Sequence, residues 1–389
     1  MSMSEWQKYR LGEVYSFSSG LSKSSDQFGY GFDFLTFKDV FNNYFLPDKL
    51  TALVNSTEKE RQTCSIKRGD VFLTRTSETD DELGMSSVAL KDYPNATFNG
   101  FTKRLRPLGN VEIYPEFVAY YFRSPRFRAN IVGMSSITTR ASLNNSMLAE
   151  LPLLLPNYEE QVRIATILKS LDDKIDLLHR ENTTLEAMAE TLFRQWFIEE
   201  VKEDWEEVSL TKIANFLNGL ACQKYPPKND IEKLPVLKIR ELSNGIGNDS
   251  DWATANVASE YIIHAGDVIF AWSASLMVKI WDGEDCILNQ HLFKVTPAQG
   301  IGREFLLQSI SKTIAEFSNL TTGSTMKHIQ RNKLEQVFVN TPTSEIMNCY
   351  CRIAERLREQ ILNICSQIRH LTEARDRLLP KLMSGEIKV

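Results

Sequence analysis

The sequence has no apolar run near the roughly 18 residues that a membrane-spanning helix needs. Its opening residues, Met1-Ser-Met-Ser-Glu-Trp6, hold no apolar core of the kind a secretory signal carries, so a cytoplasmic chain without membrane contact is expected. There is no G-x-x-x-x-G-K-S/T loop for a nucleoside triphosphate and no G-x-G-x-x-G loop for a dinucleotide. Neither N-P-P-Y nor D-P-P-Y, the tetrapeptides of adenine methylases, occurs; Tyr225-Pro-Pro-Lys228 is not one. The five histidines (His179, His264, His291, His328 and His370) show no H-x-x-x-H spacing. The six cysteines form no C-x-x-C pair, and Cys349 and Cys351 would point to different faces of a helix, so reduced thiols are expected rather than a zinc site. These absences argue against a self-contained nuclease, methylase or ATPase. They leave a soluble chain of ordinary composition, 42% hydrophobic and 24% charged, with room for two to three domains. A formal net charge of −5 argues against a uniformly basic surface but not against a local basic groove.

What is present is a long internal repeat. Glu5 to Leu21 reads E-W-Q-K-Y-R-L-G-E-V-Y-S-F-S-S-G-L, and Asp204 to Leu220 reads D-W-E-E-V-S-L-T-K-I-A-N-F-L-N-G-L. Trp6 aligns with Trp205, Leu11 with Leu210, Phe17 with Phe216, and Gly20-Leu21 with Gly219-Leu220. The match continues in order: L-T-F-K-D-V from Leu35 with L-K-I-R-E-L from Leu237, I-K-R-G-D-V from Ile66 with I-H-A-G-D-V from Ile263, Asn99 with Asn289, Glu116-Phe117 with Glu304-Phe305, and Pro156 with Pro342. Collinear matches of this extent indicate a tandem duplication. Within each copy, short β-type runs such as Val71–Leu73, Leu151–Leu155, Val268–Phe270 and Val337–Val339 are split by turn residues, while Glu116–Phe127 and Arg303–Phe317 read as helices. Each copy is therefore expected to be a compact α+β domain.

After each domain the periodicity changes to seven. Ile164, Leu171, Leu178, Leu185 and Leu192 form one series, and Leu168, Ile175, Asn182, Ala189 and Trp196 the other. In the second copy Tyr350, Leu357, Ile364, Leu371 and Leu378 are matched by Ala354, Ile361, Ile368, Arg375 and Leu382. Such seams predict two long helices, the first about 60 Å long at ~1.5 Å per residue. An exposed seam of that length needs cover. The other helix is the expected partner, in antiparallel pairing with pseudo-two-fold symmetry; packing on the helix's own domain or on another chain is the alternative. Asn182 either sets the register of the seam or is a tolerated polar position. The boundaries read as 1–156 for the first domain, 157–199 for the first spacer helix, 200–342 for the second domain and 343–385 for the second helix.

Two domains opening W-x-x-x-x-L, each with a G-D-V strand and each followed by a long heptad helix, resemble the specificity (S) subunits of type I restriction-modification enzymes. Leu151 to Leu178, L-P-L-L-L-P-N-Y-E-E-Q-V-R-I-A-T-I-L-K-S-L-D-D-K-I-D-L-L, is similar to that family's central region. Leu192–Phe197 (L-F-R-Q-W-F) and Leu378–Ile387 (L-L-P-K-L-M-S-G-E-I) fit its two helix ends. The resemblance implies a non-catalytic chain whose globular domains are target recognition domains, each reading half of a bipartite site in double-stranded DNA. It implies that the helices set the spacing and dock two methyltransferase subunits, with S-adenosylmethionine, ATP and Mg on partner subunits, restriction/translocase subunits among them, and no cofactor here.

Reading DNA requires cations and backbone N–H groups for phosphates, and Arg, Lys, Asn, Gln, Ser or Thr for base edges, carried on loops between strands. In the first domain the candidates are Lys38, Arg75, Thr76, Ser77, Lys103, Arg104, Thr138, Thr139, Arg140 and Ser142. In the second they are Lys238, Arg240, Trp272, Ser273, Ser275, Ser324, Lys327, His328 and Arg331. Thr138–Ser142 and Ser324–Arg331 occupy matching places in the repeat. Trp272 reads as a core residue or as a groove wedge. Arg75 against Trp272 and Arg140 against Met326 suggest that the two half-sites differ. The competing class is a coiled-coil scaffold whose domains bind protein, which the net charge favours. A DNA-reading subunit of a related system with fused cleavage and methylation partners is also open. Salt-dependent, sequence-specific DNA binding separates DNA reading from scaffolding.

Overall fold

The computed structural model describes residues 6–75, 83–135, 143–273, 275–320 and 334–389. The chain divides into two compact units, one formed by Met1–Ile175 with His370–Val389 and the other by Asp176–Arg369. Both are mixed α+β, and the strand pairing of one repeats in the other.

In the first unit, β1 (Gln7–Arg10) pairs antiparallel with β9 (Pro152–Leu155), which ties the start of the domain to its end. Leu11, fully buried, follows at once, and Trp6 sets its ring edge-on to Phe117 at 6.0 Å. A central sheet has the order β2 (Tyr15–Ser19), β8 (Thr102–Pro107), β5 (Val71–Thr74), β6 (Ser86–Val88). A smaller sheet joins β4 (Ala52–Val54), β3 (Phe28–Leu35) and β7 (Thr97–Phe98), with β3 and β7 parallel. The helix expected over Glu116–Phe127 is two: α4 (Pro115–Arg123) and α5 (Pro125–Ser135), divided at Ser124 because Pro125 disfavours helical backbone before it. Phe117, Phe122 and Phe127 from this pair are fully buried, each stabilising the core by about 1.5–3 kcal/mol.

The second unit repeats the plan. β10 (Glu206–Ser209) pairs with β19 (Phe338–Thr341). Its central sheet runs β11 (Ala214–Asn218), β18 (Leu292–Pro297), β15 (Val268–Ala271), β16 (Met277–Ile280). Its small sheet runs β13 (Trp252–Thr254), β12 (Lys233–Leu237), β17 (Cys286–Leu288), β14 (Ile262–Ile263), again with a parallel pair, β12 and β17. Registers agree: Phe17 opposes Leu105 where Phe216 opposes Val295. α10 (Arg303–Leu320) stands where α4 and α5 stand in the first unit.

The repeated motifs acquire physical reasons. Gly69 and Gly266 have φ of +87° and +96°, a turn conformation closed to most side chains. The following Asp70 and Asp267 accept the N–H of Lys67 at 2.7 Å and of His264 at 2.9 Å. Each then pairs with a cation on the central strand, Arg106 at 2.6 Å and Lys294 at 2.8 Å. Gly20 and Gly219 are required for closeness instead: a Cβ on either would overlap the carbonyl oxygen of Phe98 or Asn289.

Two long helices, α7 (Tyr158–Arg194) and α11 (Ser344–Met383), follow the repeats. Every seam position of both heptad series is buried or half-buried. In the first unit Ile164, Ala165 and Leu168 share a core with Leu379, Leu382 and Met383. Asp172 there accepts Tyr120 Oη–H at 2.7 Å and pairs with Arg375 at 2.9 Å. In the second unit Asn182 Nδ2 lies 3.1 Å from Cys365 Sγ, while Phe193 and Phe197 pack on Tyr350. Contacts that rise along α7 fall along α11, so the segments in that unit are antiparallel. The Leu192–Phe197 run ends α7 in a π turn, Gln195–Glu199, which places Phe197 4.9 Å from Phe305 and 4.7 Å from Tyr350. Among the described residues no helix is long and apolar enough to cross a membrane, and no group of three His, Cys, Asp or Glu could hold a metal ion.

Candidate nucleic-acid interface

In each unit three strand termini meet at one end of the central sheet. β2 and β5 both run antiparallel to β8, so their C-terminal ends lie beside its start: Ser19 and Leu73 both oppose Lys103, and Thr74 opposes Thr102. Described chain reaches this end from several directions. Gly84 N–H donates to the Thr74 carbonyl at 3.0 Å, and Leu143 N–H to the Arg75 carbonyl at 3.0 Å.

The turn before β8 is tightly held. Asn99 Oδ1 accepts Phe101 N–H at 2.7 Å, Gly100 N–H donates to the Leu21 carbonyl at 2.7 Å, and Phe101 O accepts Arg75 N–H at 2.9 Å. Arg75 is half-buried. Lys103 is 7% exposed and donates to Ser19 Oγ at 2.9 Å and Asn145 Oδ1 at 2.8 Å. Burial first, and the nearby charge of Arg75 second, hold the Lys103 pKa below its usual value. The end of the first sheet therefore carries two close cations and, on Phe101, a ring that is 61% exposed.

The second unit builds the same end from rings. Trp272 follows β15 as Arg75 follows β5, and it packs 5.8 Å from Phe293 and 6.3 Å from His291. Phe293 opposes Asn218 and Phe270, the place Lys103 holds in the first sheet. Asn289 Oδ1 accepts His291 N–H at 3.3 Å, which repeats the Asn99 clamp. Ser273 is buried, with Oγ 3.4 Å from His291 Nδ1. That contact is not a catalytic triad, because the other ring nitrogen faces the Gln290 amide at 3.4 Å rather than a carboxylate.

The residues expected from sequence fall into four groups. Arg75, Trp272, Ser273 and the exposed Ser275 gather at these sheet ends. Trp272 is partly buried on the second core, the core reading of that ring. Lys103 and Arg104 were expected on a loop, and the structure corrects this: both lie in β8. Arg104, 8% exposed, donates to the carbonyls of Thr63 at 3.3 Å and Ser65 at 2.6 Å. Burial, then the charge of Arg106, lower its pKa. Lys38, Lys238 and Arg240 stand apart, at the starts of α2 (Phe37–Asn42) and α9 (Ile239–Asn244). Lys38 is exposed, Lys238 pairs with Asp251, and Arg240 pairs with Glu241 and Asp249, both at 2.6 Å. Thr76, Ser77, Thr138, Thr139, Arg140, Ser142, Ser324, Lys327, His328 and Arg331 lie outside the described residues. Sequence reasoning missed Phe101 and His291, although each stands two residues after the aligned asparagine.

The sequence pattern described as the type I restriction modification DNA specificity domain matches residues 3–187 and again 202–373. The chain is 24% identical to the type I restriction enzyme MjaIX specificity subunit of Methanocaldococcus jannaschii, over 97% of this chain and 92% of that one. It is 22% identical to the HindI specificity subunit of Haemophilus influenzae, over 99% of this chain and 100% of that one. Its fold is similar to the crystal structure of the type I restriction-modification S subunit from M. genitalium, with a TM-score of 0.58 at 14% identity, covering 98% of this chain and 97% of that one.

Proposed function

We infer the role of this chain from one premise: it belongs to the type I restriction-modification DNA specificity family, whose pattern it carries twice. It is a specificity subunit, a DNA-recognition component. From there we propose that residues 1–156 and 200–342 each read one half of an asymmetric bipartite site in double-stranded DNA. The helices after them, 157–199 and 343–385, set the distance between the halves and dock two methyltransferase subunits. The chain supplies the address and no catalytic group; S-adenosylmethionine, ATP and Mg belong to partner subunits. The adaptor reading gives way, because the family covering both halves is a DNA-specificity family.

One observation carries the asymmetry. The same frame of strands, glycines and asparagines is built twice, but at its end Lys103 and Arg75 of one copy are answered by Phe293 and Trp272 in the other. A common frame with different tips suits two sites of similar placement and different sequence, about one DNA turn or ~34 Å apart. The test is to co-express the chain with its cognate methyltransferase subunits and sequence the host genome for methylated adenine. The expected result is a bipartite motif with unequal halves and an unread gap. A palindromic or continuous motif would refute the asymmetric reading, and a stable complex that yields no motif would refute DNA reading.

A further inference from the structure

We propose that the ring two residues after each clamping asparagine, Phe101 in the first domain and His291 in the second, is the residue that each domain inserts against DNA bases. The proposal rests on the DNA-reading function above and deepens it. Phe101 is a large apolar side chain, 61% exposed, in a turn whose backbone is hydrogen-bonded. Its N–H is held by Asn99 Oδ1 and its carbonyl by Arg75 N–H, and Gly100 before it is bonded to Leu21. Three residues, Asn99, Arg75 and Leu21, thus fix the turn that presents this ring to solvent, an arrangement suited to a rigid wedge.

The surroundings select the occupant. The backbone that holds Phe101 belongs to Arg75, a half-buried cation at the same sheet end, so a polyanion is the complementary partner. Aromatic rings stack on bases whatever their sequence, while neighbouring cations hold the phosphates. The duplication supplies an independent observation. Asn289 clamps His291 as Asn99 clamps Phe101, and His291 is likewise exposed, resting on Trp272. The chemistry of the two rings differs: phenylalanine offers only a face, whereas an imidazole also carries nitrogens, whose long 3.4 Å contacts to Ser273 and Gln290 a base edge would replace. One half-site should be read at this position by shape and stacking, the other by stacking plus a hydrogen bond.

The experiment uses the complete complex with its methyltransferase subunits and a DNA duplex of the motif found by methylome sequencing, with 2-aminopurine placed in turn at each position. Phe101→Ala should weaken cognate binding about tenfold or more and abolish the 2-aminopurine signal in one half only. Phe101→Tyr should retain both affinity and signal, and His291→Ala should act on the other half. Because Phe101 is exposed, Phe101→Ala should melt as the parent does. Parent-like binding and signal in Phe101→Ala would overturn the proposal while leaving the DNA-reading function intact. Failure of the parent complex to bind any duplex would instead overturn that function. Loss of methyltransferase subunits from the Phe101→Ala complex would assign the ring to a protein interface and overturn the proposal.

Discussion

Two copies of one frame end differently in this chain. At the end of the first central sheet, Lys103 sits beneath the Ser19 and Asn145 oxygens with Arg75 nearby. At the corresponding end of the second, Phe293, Trp272 and His291 form a run of rings. Below these tips the frames agree in the strand order of the central sheet, in the positive-φ glycine of the G-D-V turn and in the aspartate–cation pair behind it. The difference teaches where selection for stability stops. Residues that close turns and pair strands are held to one solution, whereas residues at the open end can change charge and shape without disturbing the sheet.

The buried ion pairs offer the sharpest contrast between the copies. Glu304 is 2% exposed and bonded at both oxygens by Arg358, at 3.0 and 3.1 Å. Its counterpart Glu116 pairs with Arg68, whose side chain is 48% exposed. Arg358→Ala strands a carboxylate in the core and should cost about 3–5 kcal/mol. Arg68→Ala should cost less, about 1–2 kcal/mol, because water reaches the place of its half-exposed guanidinium beside the less deeply buried Glu116. Calorimetric unfolding of the two variants tests this, and equal losses would refute the contrast. Next in size, Gly20→Ala and Gly219→Ala should each destabilise by about 1–3 kcal/mol through overlap with a carbonyl oxygen. Near-equal shifts in urea midpoint would confirm that the frames are equivalent; a shift at only one site would break the equivalence.

At the tips, Arg75→Ala should weaken binding to the cognate duplex by about 1–3 kcal/mol with altered preference in one half only, read by competition with single-base variants. Uniform weakening with a shallower salt slope would place Arg75 on a phosphate instead. The smallest effect should have the opposite sign. Asn182 is 9% exposed, and its Oδ1 has no hydrogen-bond partner among the described residues. Asn182→Leu should therefore stabilise by about 1 kcal/mol in thermal unfolding, and a loss would show that the amide is better satisfied than its contacts indicate.

Much of this was legible in the sequence because it is local or periodic. The heptad seams needed only a spacing of seven. The Gly-Asp turn needed one residue that tolerates positive φ and one that can accept an N–H three positions back. Lys103 and Arg104 were misread because charge alone does not separate a loop cation from one inside a strand. That depends on β8 lying between β2 and β5, which buries both side chains against internal oxygens. Gln161 was missed for a similar reason. It is 1% exposed, accepting from Tyr114 N–H at 2.9 Å and donating to the carbonyls of Glu112 and Pro156, partners that the fold alone brings together. The split of the helix at Ser124-Pro125 was, by contrast, readable and overlooked.

By itself the sequence determined the duplication, the two long seams and the family resemblance, because each is a pattern along one dimension that survives without coordinates. Only the tertiary structure decided which cations are buried in β8, which asparagines clamp a turn, and that Phe101 and His291 face water at the two sheet ends. Those properties depend on strands distant in sequence meeting at one sheet end, where burial and hydrogen bonding are settled jointly by all of them.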